Sequence, residues 1–339
     1  MAVREQDTTP AQHDATATMR AAVRDVYGDV GVVRVATVPR PVAGDGEVLV
    51  KVGAAGVDRG VWHLMTGLPY AGRLAFGLRR PRQPVLGLDL AGTVVALGPG
   101  VTGLAVGDEV FGAGAGTFAE YATAPVRSLA RRPAGLSAEQ AAVVPVSAAT
   151  ALKAVRDIGK VSPGQRVLVT GAAGGVGSYA VQLAVSAGAH VTGVASAAKA
   201  EFVRELGAER VLDYRTEDFA DGAERYDVVI DIAGNPSISR LRRALTPTGT
   251  AVVTGGEGGG RVLGMGRQVR AVAVSPFVRQ RLATFVGTVR TAALDDLSAL
   301  IATGALRPTL ERAYPLEEAP AAIASLVAGE VRGKLAVVV

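Results

Sequence analysis

Between residues 166 and 196 the spacing of apolar positions changes period twice. Val167, Leu168 and Val169 form a short β-branched-rich run of the kind buried on both faces of a parallel sheet, and 191–195 form another. Between them Val176, Ala180, Leu183 and Ala184 recur at helical spacing, and Gly188 ends that helix. The alternation continues downstream, with helices expected at 201–206 and 239–245 and strands at 211–212, 227–232 and 250–254. Repeated βα units predict an α/β fold with a doubly wound parallel sheet.

The flanks read differently. From residue 20 to about 124, short strands punctuated by Gly and Pro are expected at 21–26, 30–35, 47–53, 92–97 and 109–111, and 121–123 closes a compact β-rich module. Ser137 and Gln140 have the spacing of a capping box, which predicts a helix running through residue 154. Beyond 282 come a helix over 294–303, the start of another at 315, and a strand over 334–339 that returns most simply to the first module. Residues 1–18 are polar and aperiodic and read as a disordered extension. The expected division is 1–18, a discontinuous β-rich domain of 19–141 with 283–339, and a nucleotide-type domain of 142–282.

Composition narrows the chemistry. The 339 residues are 49% hydrophobic and 20% charged, with a net charge of +5, ordinary for a globular protein. The densest basic cluster is Arg79, Arg80 and Arg82, but 4% aromatic content supplies few stacking platforms, so nucleic acid is not expected as a partner. No run of 18 apolar residues and no signal peptide is seen, so neither a membrane partner nor export is expected and the cytoplasm is the default location. The absence of cysteine excludes disulfides and every Cys-ligated zinc or iron–sulfur site.

At the turn before the long helix, Gly174, Gly175 and Gly177 let the backbone bend sharply and bring a pyrophosphate to the helix N-terminus. In a G-x-G-x-x-G frame the first position is Ala172, an imperfect match. The strand–turn–helix–strand context makes this a dinucleotide site, with Ala173, Gly174, Gly175 and Val176 against the cofactor. An NAD-preferring site places Asp or Glu at the end of the second strand, whereas here Ser196 is followed by Lys199. That pair suits a 2′-phosphate, with Tyr214 and Arg215 able to close the same pocket, so NADPH is expected; the alternative for Lys199 is a solvated helix-start lysine. Ala233, Gly234 and Gly255 follow strands at the sheet edge where ligands bind, although each also serves as a turn former.

The chain resembles the medium-chain dehydrogenase/reductase superfamily, and within it the zinc-free quinone oxidoreductase branch, from about Met19 to Val339. The resemblance is carried by Val85-Leu-Gly-Leu-Asp-Leu-Ala-Gly-Thr-Val, Gly107-Asp-Glu-Val-Phe-Gly, Phe118-Ala-Glu-Tyr, Thr150-Ala-Leu, Ala172-Ala-Gly-Gly-Val-Gly, Gly207-Ala with Asp213-Tyr, and Arg332-Gly-Lys. It implies a GroES-like substrate domain, a Rossmann cofactor domain, a cleft between them and a homodimer. Zinc-dependent members hold their metal with an early cysteine, a Gly-His-Glu motif and a later Cys or Asp; here the second motif reads Gly87-Leu88-Asp89 and no cysteine exists, so no metal is expected. Without a Lewis acid the resemblance implies hydride transfer to a substrate that accepts it readily, a quinone or an α,β-unsaturated carbonyl (enone).

The same resemblance puts Asp58 where the branch usually has Asn and His63 where some members carry Tyr. Asp58 could orient His63, which would then protonate the substrate; the other reading has Asp58 capping a helix near Gly60 or pairing with Arg59, and His63 packed under the loop. Trp62 and Tyr70, with Phe76, are candidates for an apolar substrate pocket. Thr150 matches a position near the nicotinamide, or bonds its own backbone; Lys334 matches a position near the cofactor, or is a strand-end charge. Two other functions stay open: reduction of a double bond in an acyl thioester or biosynthetic intermediate, with Arg79 to Arg82 meeting a phosphate, and non-catalytic NADPH or RNA binding of the crystallin-like kind.

Overall fold

The computed structural model describes residues 17–254, 262 and 264–339. The expectation for Gly255, and most of that for residues 1–18, falls outside the described residues. The chain opens with β1 (Thr18–Val23) and β2 (Arg34–Pro39), an antiparallel pair, then β3 (Glu47–Val57), α1 (Arg59–Thr66), α2 (Arg73–Phe76), β4 (Asp89–Leu97), β5 (Glu109–Ala113), β6 (Tyr121–Pro125) and β7 (Leu129–Arg131). Two helices, α3 (Ala138–Ala142) and α4 (Pro145–Leu152), lead into β8 (Arg166–Thr170), α5 (Gly175–Ser186), β9 (His190–Ala195), α6 (Ala200–Glu205), β10 (Arg210–Asp213), β11 (Tyr226–Asp231), α7 (Ile238–Ala244), β12 (Leu245–Val253), α8 (Gly266–Val274), β13 (Arg281–Thr284) and α9 (Thr291–Ala302). The chain then runs through β14 (Leu310–Pro315), α10 (Ala319–Ala328) and β15 (Lys334–Val338).

Six strands, in the order β10-β9-β8-β11-β12-β13, form a wholly parallel sheet. This is the Rossmann order, with its crevice where the chain reverses direction between β8 and β11. Helices cover both faces: α4, α5 and α9 share a core with Val167, Val169 and Ile230, while α7 and α8 pack with Leu168, Val229 and Val253. The second sheet runs β14-β15-β3-β4-β5-β7, with β6 also on β3, and carries its own core. The expected fold class, a Rossmann domain with a discontinuous GroES-like β-rich domain, is what the chain adopts.

Several boundaries move for identifiable reasons. Residues 30–32 make a 3₁₀ turn rather than a strand, because the Asp29 carboxylate accepts from Gly31 N at 3.0 Å. The single helix expected through 154 is two, since Pro145 has no N–H to continue α3 and sits instead in the first turn of α4. The Ser137–Gln140 capping box is present on α3. The domain boundary at 282/283 would cut β13, and Leu294 and Leu297 of α9 lie in the core of the parallel sheet, so the chain leaves that layer only after Leu306.

Candidate active-site cleft

A cleft of about 800 Å³ lies between the two sheets. Its floor is the glycine turn. Gly171 has φ +65°, and a Cβ on Gly177 would sit 2.0 Å from the Gly171 carbonyl oxygen, so the turn closes this tightly only with glycine at both places. Gly174 caps α5 without a side chain, leaving the first-turn N–H groups to a ligand. That edge, the free helix terminus and the volume suit a dinucleotide pyrophosphate. Thr170 at the end of β8 ties the edge together: its hydroxyl donates to Asp231 Oδ1 at 3.0 Å and accepts from Ile232 N at 2.9 Å. Burial pushes the Asp231 carboxyl up to about 6, although Arg267 pairs with it at 2.6 Å and draws it down.

One end of the cleft is lined by Ser196, Lys199, Tyr214 and Arg215, beyond the ends of β9 and β10. The Lys199 ammonium donates to Gly329 O and Val331 O, both at 2.7 Å, so one of its three N–H groups is left for a ligand. Its pKa is lowered, chiefly by burial, against the attraction of Glu311. Ala173, Gly174, Gly175, Val176, Ala233 and Gly234 line the same cleft.

At the wall of the cleft formed by the second sheet, two carboxylates and an ammonium are brought together from three strand ends. Asp58 follows β3, Asp89 opens β4 and Lys334 opens β15, and they are 6, 0 and 2% exposed. Asp89 Oδ1 accepts from Val146 N at 2.8 Å and its Oδ2 from Lys334 Nζ at 3.3 Å. Asp58 Oδ1 caps α1, accepting from Gly60 N at 2.6 Å and Val61 N at 3.3 Å, while its Oδ2 lies 3.9 Å from Lys334 Nζ with no hydrogen-bond partner. Gly56 makes the space: a Cβ there would be 2.9 Å from that of Asp89. Burial raises the Asp89 carboxyl, to about 8, and Asp58 adds to this, while Lys334 and the Val146 N–H oppose it.

Other candidates are placed elsewhere. His63 does not meet Asp58: its Nδ1–H donates to Leu68 O at 2.7 Å and its ring packs edge-on to Trp62, outside the cleft. Asp58 instead caps α1 with its Oδ1. Thr150 is also outside, its hydroxyl donating to Val146 O at 2.7 Å, and Val146 and Ser147 one turn earlier line the cleft instead. Trp62 and Tyr70 line a separate cavity of about 630 Å³, because Trp62, Met65 and Thr66 share a helix face directed at α10; the two cavities have Ala328 in common. Phe76 is exposed and lines neither. Asp89, Ser147 and Arg240 were not anticipated; a lone acid in the apolar run Val85 to Val95 was the available signal for the first.

The donors at this wall do not suit zinc. An ammonium sits between the two carboxylates where a cation would have to enter, and among the described residues no group of three or more His, Asp or Glu side chains could hold a metal ion. Nor, among them, is any helix long and apolar enough to cross a membrane.

A parallel sheet with a glycine-turned helix terminus, facing a β-rich domain across a dinucleotide-sized cleft, defines a two-domain nucleotide-dependent protein. Comparison with known proteins makes this specific. The family described as alcohol dehydrogenase GroES-like domain matches residues 44–134 and that described as zinc-binding dehydrogenase matches 206–337. The chloroplastic quinone-oxidoreductase QR1 of Triphysaria versicolor is 31% identical over 337 residues, covering 94% of this chain and 98% of that one. The quinone oxidoreductase structure from Coxiella burnetii superposes with a TM-score of 0.85 at 30% identity, over 95% of this chain and 100% of that one. A mycobacterial protein, Rv1454c, solved with NADPH gives a TM-score of 0.81 at 27% identity, over 95% and 100%. The chain belongs to the medium-chain dehydrogenase/reductase superfamily, among its quinone-oxidoreductase-like members. It is accordingly an oxidoreductase of a nicotinamide-dinucleotide-dependent family.

Proposed function

We propose that the protein is a zinc-independent, NADPH-dependent reductase of quinones or α,β-unsaturated carbonyls. The observation that carries this reading is the buried Asp58–Lys334–Asp89 cluster, which puts an ammonium between two carboxylates at the wall of the cleft. Ser196, Lys199, Tyr214 and Arg215 would hold the 2′-phosphate end of the cofactor, with no acid at the end of β9 to repel it, and the α5 terminus would hold the pyrophosphate. When bound, the reduced nicotinamide supplies a hydride. The chain's own part is to position the substrate against the apolar walls of Val57 and Val146 and to offer the Lys334 ammonium to an oxygen that gains negative charge. A quinone or enone spreads that charge onto its carbonyl oxygen and needs no Lewis acid.

The test is turnover of purified protein with NADPH and a panel of quinones and alkyl enones, followed by the near-ultraviolet absorbance of reduced nicotinamide. Oxidation of NADPH with members of the panel is expected. Tight NADPH binding with no oxidation by any acceptor would overturn the reading.

A further inference from the structure

Residues 59–88 carry five arginines and no acidic residue. Within that stretch three large apolar side chains face water: Leu74 is 70% exposed, Phe76 41% and Leu78 65%. Val262, 66% exposed, adjoins them, its carbonyl accepting from Ala71 N at 2.9 Å. A group of large apolar side chains left in water calls for an occupant.

The display is built into the fold. Gly77 has φ +115°, and a Cβ there would sit 2.0 Å from Arg80 O, so 76–82 turns back on itself with Arg82 N donating to Phe76 O at 2.8 Å. From beneath, Tyr27 OH donates to Gly77 O at 2.7 Å and the buried Arg24 donates to Gln83 O at 3.2 Å. The Arg73 guanidinium stacks between the Tyr27 and Tyr70 rings, 4.3 and 4.7 Å from their centroids. This scaffold holds Leu74, Phe76 and Leu78 outward, and none of the three packs in a core.

Charge selects the occupant. Arg79, Arg80 and Arg82 stand beside these side chains, all three exposed, and Arg82 donates only weakly to Ala75 O at 3.4 Å. The acids of the segment beneath are Asp25, paired with Arg34 at 2.7 Å, and Asp29, outnumbered by Arg24 and Arg73 around Tyr27. The face therefore keeps a positive charge. An isologous contact with a second copy would set arginine against arginine. A nucleic-acid backbone would answer the arginines and leave the leucines in water. A bilayer with anionic headgroups answers both, because apolar tips enter the acyl boundary while the arginines meet phosphates. Such attachment lies on the bilayer and needs no spanning helix.

We propose that the excursion over 70–82 docks this protein on a negatively charged lipid surface. Tyr70 and Arg73 of the same excursion line the second cavity, so docking brings that space of about 630 Å³ to the lipid.

The test is co-sedimentation of the full chain with vesicles of phosphatidylcholine alone or mixed with phosphatidylserine. Neither nucleotide nor acceptor is present, so the outcome is independent of the reductase reading. The partition coefficient should be at least about tenfold higher on the mixed vesicles and should fall with added salt. Leu74→Ser with Leu78→Ser, and separately Arg79→Gln with Arg80→Gln, should each lower it at least about fivefold. All four side chains are exposed, so the Tm of both variants should match wild type. Wild type that stays in solution with the mixed vesicles overturns the proposal. So does a loss confined to the arginine variant, which marks mere adsorption of a basic chain, or one confined to the leucine variant, which leaves charge no role. Tighter binding to a duplex oligonucleotide than to the mixed vesicles, or a solution dimer that the leucine variant dissociates, gives the surface to another occupant and overturns it as well.

Discussion

Replacing Lys199 by alanine separates the cofactor's phosphate from the rest of the nucleotide. The side chain is half-buried and its ammonium has two N–H groups committed to the carbonyls of Gly329 and Val331 at 2.7 Å, leaving one for a phosphate oxygen. A hydrogen bond from a charged donor to a charged acceptor is worth about 1.5–3 kcal/mol net. At ~1.4 kcal/mol per tenfold, the affinity for NADPH should fall by about 10- to 150-fold. The two backbone contacts are lost with either cofactor, so any loosening of the turn between α10 and β15 weakens NADH and NADPH alike and cancels in their ratio. The assay is calorimetric titration of wild type and variant with both nucleotides at two ionic strengths. The NADPH preference should shrink in the variant, and shrink in the wild type as salt is added, because a half-buried charge is partly screened. A ratio that stays within about twofold of wild type would refute the assignment of Lys199 to the phosphate.

Two further substitutions test the framework of the cleft. Gly56→Ala would put a Cβ 2.4 Å from Ala142 O and 2.9 Å from Asp89 Oδ2, so overpacking should remove about 1–3 kcal/mol and lower Tm by several degrees in scanning calorimetry; an unchanged Tm would show that the strand ends are looser than described. Asp231 has a folded pKa of about 6 against 3.8, so its carboxyl favours the folded state when protonated, and stability falls as pH rises from about 4 to about 7 by roughly 3 kcal/mol on its account. Denaturant unfolding of Asp231→Asn across that range should show the decline reduced, and an identical pH slope would refute the burial argument.

What could be read in the chain beforehand was what local spacing encodes. The glycine turn and the two strands around α5 announce themselves within 30 consecutive residues. Cofactor candidates on that edge fall together because a parallel sheet presents all its carboxyl ends to one crevice. The catalytic candidates depended on which way one short helix faces. Asp58 before Arg59-Gly60 carries the signature of a helix cap, and that local role leaves His63, five residues on, to bond a carbonyl outside the cleft. Asp89 and Lys334 are each a solitary charge in an apolar strand, a sign that a buried partner exists. Their distance in sequence hides which partner it is; only the placement of β15 and β4 on either side of β3 reveals it. Helix α8 escaped because Val269 and Val272 stand exposed, so no core-facing stripe marks it.

The pairing of β15 with β3, in which Leu335 lies opposite Val57, also bears on how the molecule is made. Between these strands the chain must build the whole six-stranded parallel sheet. Closing so long a loop as unstructured chain is entropically unfavourable and slow, whereas an already folded Rossmann body between the ends shortens the effective span. Assembly should therefore be sequential, with the parallel sheet preceding completion of the other one. Until β15 arrives, the edge of β3 at 54–57 offers unpaired N–H and C=O groups to any passing strand. That interval is when the protein is most prone to aggregate, and the segment that ends it is the one that delivers Lys334.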